Sequence, residues 1–369
     1  MITLGSLGKF ENIGVDKKIV EGEQRVTLLN FVDIFNHKHI DSSIPSMVVT
    51  ASAKKIKLCD VRRGDVFVTP SSETPEDIGH SAVILEDLDN TVYSYHIMRY
   101  RLNEPDMLAS FYINYLFDTE SVKKQIQKKA KGLTRFGLSK DAFASIEIPF
   151  PSIEKQESFV HKLDAFNALI TKLDEEIELR KQQFVFYRHH LLNLNREEGV
   201  KMKVKDFCLL KAGKSIKAEN IGTESDDNNY PCFGGNGIRG YVSIFSHDGN
   251  YPIIGRQGAL CGCVNWAKGK FYATEHAVVA SGKEKMNQRF LFHLFQHADL
   301  NQYKTQGAQP GLSVAKLNEL IFMIPKLQKQ IEIATALDTF STLISKLEEE
   351  RDLRKKQYEY YREKILTFE

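Results

Sequence analysis

Pro151-Ser152-Ile153-Glu154-Lys155-Gln156 opens a stretch that the chain carries twice. The second copy opens at Pro325-Lys326-Leu327-Gln328-Lys329-Gln330, 174 residues later, and the two align without a gap. Leu163, Asp164 and Phe166 fall on Leu337, Asp338 and Phe340; Leu179, Arg180 and Lys181 on Leu353, Arg354 and Lys355; Tyr187 and Arg188 on Tyr361 and Arg362. In the first copy, Phe159, Leu163, Phe166, Ile170, Leu173, Ile177, Phe184, Tyr187 and Leu191 follow the alternating four-and-three spacing of a coiled-coil seam, with Arg180 as its one polar slot. Prolines at 149 and 151 suit the entrance of a helix but not its interior. About forty residues, at a rise of about 1.5 Å each, predict a rod of roughly 60 Å. A long helix repeated after each of two different globular stretches marks a two-fold device.

The repeat divides the chain into four parts: a globular domain at 1–150, a helix at 151–198, a second globular domain at 199–324 and a second helix at 325–369. The fold class expected is α+β, with two mixed α/β domains joined by two long antiparallel coiled-coil helices in pseudo-two-fold symmetry. The antiparallel sense follows from connectivity: the first helix delivers the chain to the second domain, so the second helix must run back to pack its seam on the first. In the first domain, Gly64–Thr69 reads as a turn and a strand. Ser81–Leu85 and Thr91–Ile97 read as strands with a turn at Asp89-Asn90, and 106–131 has helical spacing with a lysine-rich end. Its start finds no clear match in Val204-Lys205-Asp206-Phe207 of the second. In the second domain, Tyr241–Phe245 reads as a strand, and Phe290–Phe295 resembles Tyr112–Phe117 at an offset of 178. Gly307–Ser313 occupies the slot of Leu133–Ser139.

The net charge is only +2, but residues 201–325 hold 15 Lys+Arg against 10 Asp+Glu, so a basic excess sits in the second domain. Five scattered cysteines suit a reducing cytoplasm rather than a disulfide framework. No apolar run is long enough for a membrane helix, and the N-terminus lacks the pattern of a signal peptide. A cytoplasmic protein without membrane contact is expected.

Several motifs suggest other chemistry and fail on context. Gly235-Asn236-Gly237-Ile238-Arg239-Gly240 matches the dinucleotide fingerprint and overlaps a methyltransferase pattern, but a strand follows where a helix should. A hairpin turn is the expected reading. The methyltransferase catalytic tetrapeptide, Asn or Asp followed by two prolines and an aromatic, is missing, and there is no phosphate-loop lysine motif. Cys261-Gly262-Cys263 has no partner pair at zinc spacing. No cofactor, metal or catalytic residue is assigned to this chain.

Two globular segments, each followed by an Ile-Pro…Gln helix bearing Leu-Asp…Phe…Ile…Leu, resemble the specificity (S) subunit of type I restriction-modification systems. Val68–Pro75, Ser94-Tyr95-His96 and Ile254–Gly258 are also similar to segments of those subunits. The resemblance covers nearly the whole chain. It implies that the globular parts are target recognition domains, each reading half of a bipartite DNA site, and that the helices set the spacing. It implies as partners double-stranded DNA, two modification subunits that bind S-adenosylmethionine and methylate adenine, and restriction subunits joined through them. The specificity subunit of another multi-subunit system, a free-standing DNA methyltransferase and a coiled-coil scaffold are the alternatives.

Bases are read by polar side chains on loops entering the major groove, with Arg suited to guanine and Asn or Gln to adenine. The candidates in Gly-, Ser- or Pro-flanked loops and at strand ends are Ser71, Ser72, His96, Arg99, Thr134 and Arg135 in the first domain. In the second they are Lys214, Asn236, Arg239, Arg256, Gln257, Gln306 and Gln309. The foremost are Thr134-Arg135 and Gln306–Gln309, a loop that recurs in place yet differs in chemistry. On the outer helix faces, Leu169, Leu179, Leu343 and Leu353 are the expected contacts for modification-subunit helices.

Overall fold

The computed structural model describes residues 1–225, 229–258, 260–305 and 310–367. The chain forms two compact units, one of Met1–Lys172 with Glu350–Glu369 and one of Leu173–Glu349. Among the described residues, no helix is long and apolar enough to cross a membrane.

Unit 1 holds a five-stranded sheet in the order Gly8–Glu11, Met98–Leu102, Val66–Val68, Ser81–Ile84, His39–Ile40. A three-stranded sheet, Met47–Ala51, Gln24–Leu29, Thr91–Tyr93, lies in the same unit. Tyr100, Tyr112, Tyr115, Phe117 and Phe143 form a core that also takes in Leu163 and Leu366 of the two long helices. The expected hairpin across Asp89-Asn90 does not form. Ser81–Ile84 pairs with Val66–Val68 and His39–Ile40, whereas Thr91–Tyr93 pairs in parallel with Gln24–Leu29. Every residue of both strands is buried, which suits strands covered on both faces rather than the two halves of an exposed hairpin. The strand also stops at Tyr93, short of the predicted Ile97. The helical stretch 106–131 is two helices, Met107–Leu116 and Glu120–Lys129. Thr119 breaks it by capping the second: its hydroxyl accepts from the Val122 N–H.

Unit 2 repeats the plan. Its main sheet runs Cys208–Ala212, Ala277–Gly282, Tyr251–Gly255, Val264–Ala267, the same order as the first four strands of unit 1. Tyr230–Gly234 pairs in parallel with Lys270–Ala273, as Gln24–Leu29 does with Thr91–Tyr93. Gly235-Asn236 is a hairpin turn, as expected, but the following strand is Gly237–Val242 rather than Tyr241–Phe245. The two starts that could not be matched in sequence are equivalent. Ile2 and Thr3 pair with Ile148 and Glu147, and Met202 and Lys203 with Phe322 and Ile321. One-turn helices follow at Leu4–Leu7 and Val204–Phe207, and in each the first N–H donates across, Leu4 to Ile146 O and Val204 to Leu320 O, both 2.9 Å.

The long helices are Ile153–Leu192 and Leu327–Leu366, forty residues each. Gln156 and Gln330 are buried, and each donates to the carbonyl of the proline five residues earlier at 2.9 Å. The repeated aspartates tie each helix to its domain: Asp164 accepts from the Tyr115 hydroxyl in unit 1, and Asp338 binds Arg289 and His293 in unit 2. Within unit 1, Phe166 stacks on Tyr361 at 5.7 Å. Within unit 2, Tyr187 stacks on Phe340 at 5.2 Å and Lys181 pairs with Glu348 at 2.9 Å, so the two helices run in opposite directions there.

Candidate nucleic-acid interface

In unit 1 the loop expected at Gly132–Gly137 is a small ribbon. Lys131–Gly132 pairs with Phe136–Gly137, which pairs in turn with Ser71–Ser72. The turn requires glycine at 132, where φ is +149° and a Cβ would overlap the Arg135 carbonyl. Leu133, Thr134 and Arg135 form the exposed tip, and Arg135 Nη2 lies 3.4 Å from Ser71 Oγ. Ser71, Ser72, Thr134 and Arg135, distant in sequence, are therefore brought together. His96 joins them. Its N–H donates to Ser94 Oγ at 3.2 Å, and its ring packs on Tyr95 with centroids 4.0 Å apart. Desolvation, then Lys17 and Arg135, hold its pKa below the ordinary histidine value, which places it within electrostatic reach of Arg135.

Arg99 does not belong to this surface. It is the second residue of Met98–Leu102 rather than a strand-end side chain, and it is buried. Its guanidinium donates to Asp60 Oδ1 at 2.7 Å, to the Asp60 carbonyl at 2.6 Å and to Glu11, and lies over the Tyr93 ring. A charge on an interior strand needs internal partners, and Arg99 has them.

In unit 2, Arg256-Gln257 follow Tyr251–Gly255 as Pro70-Ser71 follow Val66–Val68. Leu312 N donates to Arg256 O at 2.8 Å, matching Leu138 N to Pro70 O at 2.9 Å. Gln257 bridges Gly311 as Ser71 pairs with Gly137. Gln306 and Gln309 lie outside the described residues. Asn236, at the hairpin turn, is held beside this loop by two glycines. A Cβ on Gly235 would sit 2.6 Å from Gln257 O, and one on Gly255 would overlap the Gly235 carbonyl. Arg239 is exposed on the second strand of that hairpin. Lys214 is exposed on the loop after Cys208–Ala212, its N–H donating to Ala273 O at 3.0 Å, next to the Thr274–His276 turn.

His276 escaped the sequence reading. Its N–H donates to Thr274 Oγ1 at 3.3 Å and its carbonyl accepts from Arg256 N at 2.9 Å. Thr274-Glu275-His276 is thus the counterpart of Ser94-Tyr95-His96, and the shared hydroxyl-x-histidine pattern was the available signal. Arg256 Nε, Glu275 Oε2 and His276 Nδ1 are buried without hydrogen-bond partners among the described residues. Leu133 was also missed; it is 94% exposed at the ribbon tip.

A family model described as "Type I restriction modification DNA specificity domain" matches residues 31–179 and 197–354. The type I restriction enzyme EcoprrI specificity subunit of Escherichia coli is 37% identical over 320 residues, covering 82% of this chain and 79% of that protein. Among solved structures, the S subunit of a type I restriction-modification system from M. genitalium superposes with a TM-score of 0.61 at 14% identity, covering 99% of this chain and 95% of that one. The HsdS subunit from Thermoanaerobacter tengcongensis gives 0.53 at 15% identity, with the same coverage.

Proposed function

The chain belongs to the family of type I restriction-modification DNA specificity subunits, and on that premise we propose that each unit reads one half of a bipartite DNA site through the surfaces described above. The observation that carries this reading is the recurrence of one loop geometry with different residues: Ser71, Ser72, Thr134 and Arg135 in one unit, Arg256 and Gln257 in the other. A scaffold shared by both units with diverged side chains suits two different half-sites. Arg135 and Arg256 present guanidinium forks fit for guanine, Gln257 and Asn236 amides fit for adenine, and Leu133 an apolar group fit for a thymine methyl. His96, Lys214 and Arg239 are suited to phosphate contacts that position without specifying.

The chain acts without catalysis of its own in this reading. S-adenosylmethionine and the methyl transfer belong to two modification subunits, with restriction subunits joining through them, in the cytoplasm. The long helices set the gap between the half-sites and dock the modification subunits. The exposed leucines fall into matching sets, Leu169 and Leu353 in unit 1, Leu343 and Leu179 in unit 2. Replacing Leu179 and Leu353 with glutamate is expected to abolish co-purification with the modification subunit; intact co-purification removes these faces from the assembly.

Arg135→Ala is expected to cost about 1–3 kcal/mol in one half-site only, because each domain reads alone. Methylation mapping of a genome carrying the variant reads this directly. Degeneracy confined to one half supports the assignment, equal loss in both halves refutes it, and the same map gives the length of the unspecified gap.

A further inference from the structure

Arg188, on the second half of the first long helix, is a half-buried cation without a counter-charge. Its guanidinium lies 5.3 Å over the Phe184 ring, and among the described residues no carboxylate pairs with it. It lines a pocket of about 460 Å³ together with Leu260, the Cys261–Cys263 backbone, Gln296 and Asn301. Asp299 also lines the pocket and makes no ion pair with Arg188. The nearby titratable groups are histidines: His189 and His297 meet edge to face at 5.5 Å, and burial first, with Arg188 adding, lowers the pKa of His297 and of His293, whose ring pairs with Asp338. Burial alone lowers the pKa of Arg188 itself, with no carboxylate acting to raise it.

The internal repeat supplies the comparison. The equivalent of Arg188 in unit 1 is Arg362, which lies 5.5 Å over Tyr358, the equivalent of Phe184. Arg362 has a carboxylate at hand: it pairs with Glu363 at 3.4 Å. At the position matching Glu363, unit 2 has His189. The arginine is present in both copies of the repeat, but its acid in only one. A half-buried charge left uncompensated in the free chain is costly, and that cost is removed when the compensating group arrives from elsewhere.

We infer that the Arg188 pocket receives a carboxylate side chain of the modification subunit. The inference rests on the assembly proposed above and names one of its contacts. Two observations favour a protein acid over a DNA phosphate. Among the described residues no lysine lines the pocket, whereas a duplex backbone calls for a row of cations. The neighbouring surface is apolar instead: Leu260 at the pocket is 58% exposed, and Val185, one helical turn before Arg188, is 56% exposed. An arginine among exposed apolar side chains is the composition of a protein interface centre.

The test pairs Arg188→Met with Arg362→Met in the full chain. Thermal melting of the free chain is measured, followed by titration with the purified modification subunit and, separately, with duplex DNA at several salt concentrations. Arg188→Met is expected to melt at or above the wild-type temperature, to bind the modification subunit about tenfold more weakly or worse, and to keep the wild-type DNA affinity and salt slope. Arg362→Met, which strips a cation from Glu363, is expected to melt lower. A lower melting temperature for Arg188→Met means that the arginine has a partner inside the chain and overturns the inference. Wild-type affinity for the modification subunit overturns it while leaving the proposed function standing. Loss of DNA affinity with a shallower salt slope assigns the pocket to phosphate and also overturns it. Failure of the wild-type chain to bind the modification subunit at all overturns the assembly reading and this inference together.

Discussion

Arg101→Ala is expected to destabilise unit 1 by about 3–5 kcal/mol, because it strands a buried carboxylate. Asp65 is 1% exposed and takes both of its charged hydrogen bonds from Arg101, Nε to Oδ1 at 2.6 Å and Nη2 to Oδ2 at 2.7 Å. Burial, the largest influence on Asp65, raises its pKa, with Arg101 opposing; without Arg101 the pKa rises further. Asp60, by contrast, stays below the usual carboxylate range, since Arg101, Arg99 and Arg62 outweigh its burial. The pH dependence of the variant follows from these directions. A carboxylate whose folded pKa lies above its unfolded value stabilises most when protonated, and that contribution is lost as pH rises through the folded pKa. The deficit of Arg101→Ala is therefore largest at neutral pH and shrinks as pH falls toward the unfolded carboxylate value of about 3.9. Denaturant unfolding of variant and wild type across that range gives the difference. A deficit that does not change with pH excludes a stranded Asp65 as its cause. The half-site preference of the folded fraction should be unaltered, since none of Arg101, Asp65 and Asp60 belongs to the loop surface of Ser71, Ser72, Thr134 and Arg135.

Leu337→Ala is expected to cost unit 2 about 2–5 kcal/mol, and Leu163→Ala to do the same in unit 1. Both leucines are fully buried at equivalent repeat positions, and each belongs to the core of its own unit. The helix seam and the domain core are thus one packing problem: truncating the seam loosens the reader attached to it. Hydrogen exchange separates the two cases. Leu337→Ala should raise exchange in Phe290–Phe295 and leave Tyr112–Phe117 protected, and Leu163→Ala the reverse. Exchange confined to the helices in either variant contradicts the shared core.

Legibility in the sequence tracked how local the determining physics was. The seam of the long helices follows from a period of three and four residues, and Asn236 between glycines declares a turn; both depend on neighbours in the chain. The placement of Ser81–Ile84 and Thr91–Tyr93 in different sheets depends on distant partners, Val66–Val68 and Gln24–Leu29, which no local pattern names. Arg99 looked available because an arginine near a strand end is usually solvated; its partners Glu11 and Asp60 lie 88 and 39 residues away. The equivalence of the two domain starts was hidden because their offset is 200, not the 174 of the helices, so differing insertions inside each domain moved the register. The recurring slot expected at Leu133–Ser139 and Gly307–Ser313 is a ribbon in unit 1, and in unit 2 Gly311 bridges Gln257 as Gly137 pairs with Ser71, while 306–309 lie outside the described residues.

The strand pairs that close each domain have a consequence for descent. Thr3 faces Glu147, and Lys203 faces Ile321, so the chain enters and leaves each reader through a single two-stranded gate. A segment with adjoining entry and exit can be excised and replaced as a block, provided the gate keeps its register. Under the proposed function, recombination between related genes at those two points would exchange the half-site read by one domain while leaving the other domain and the long helices unchanged.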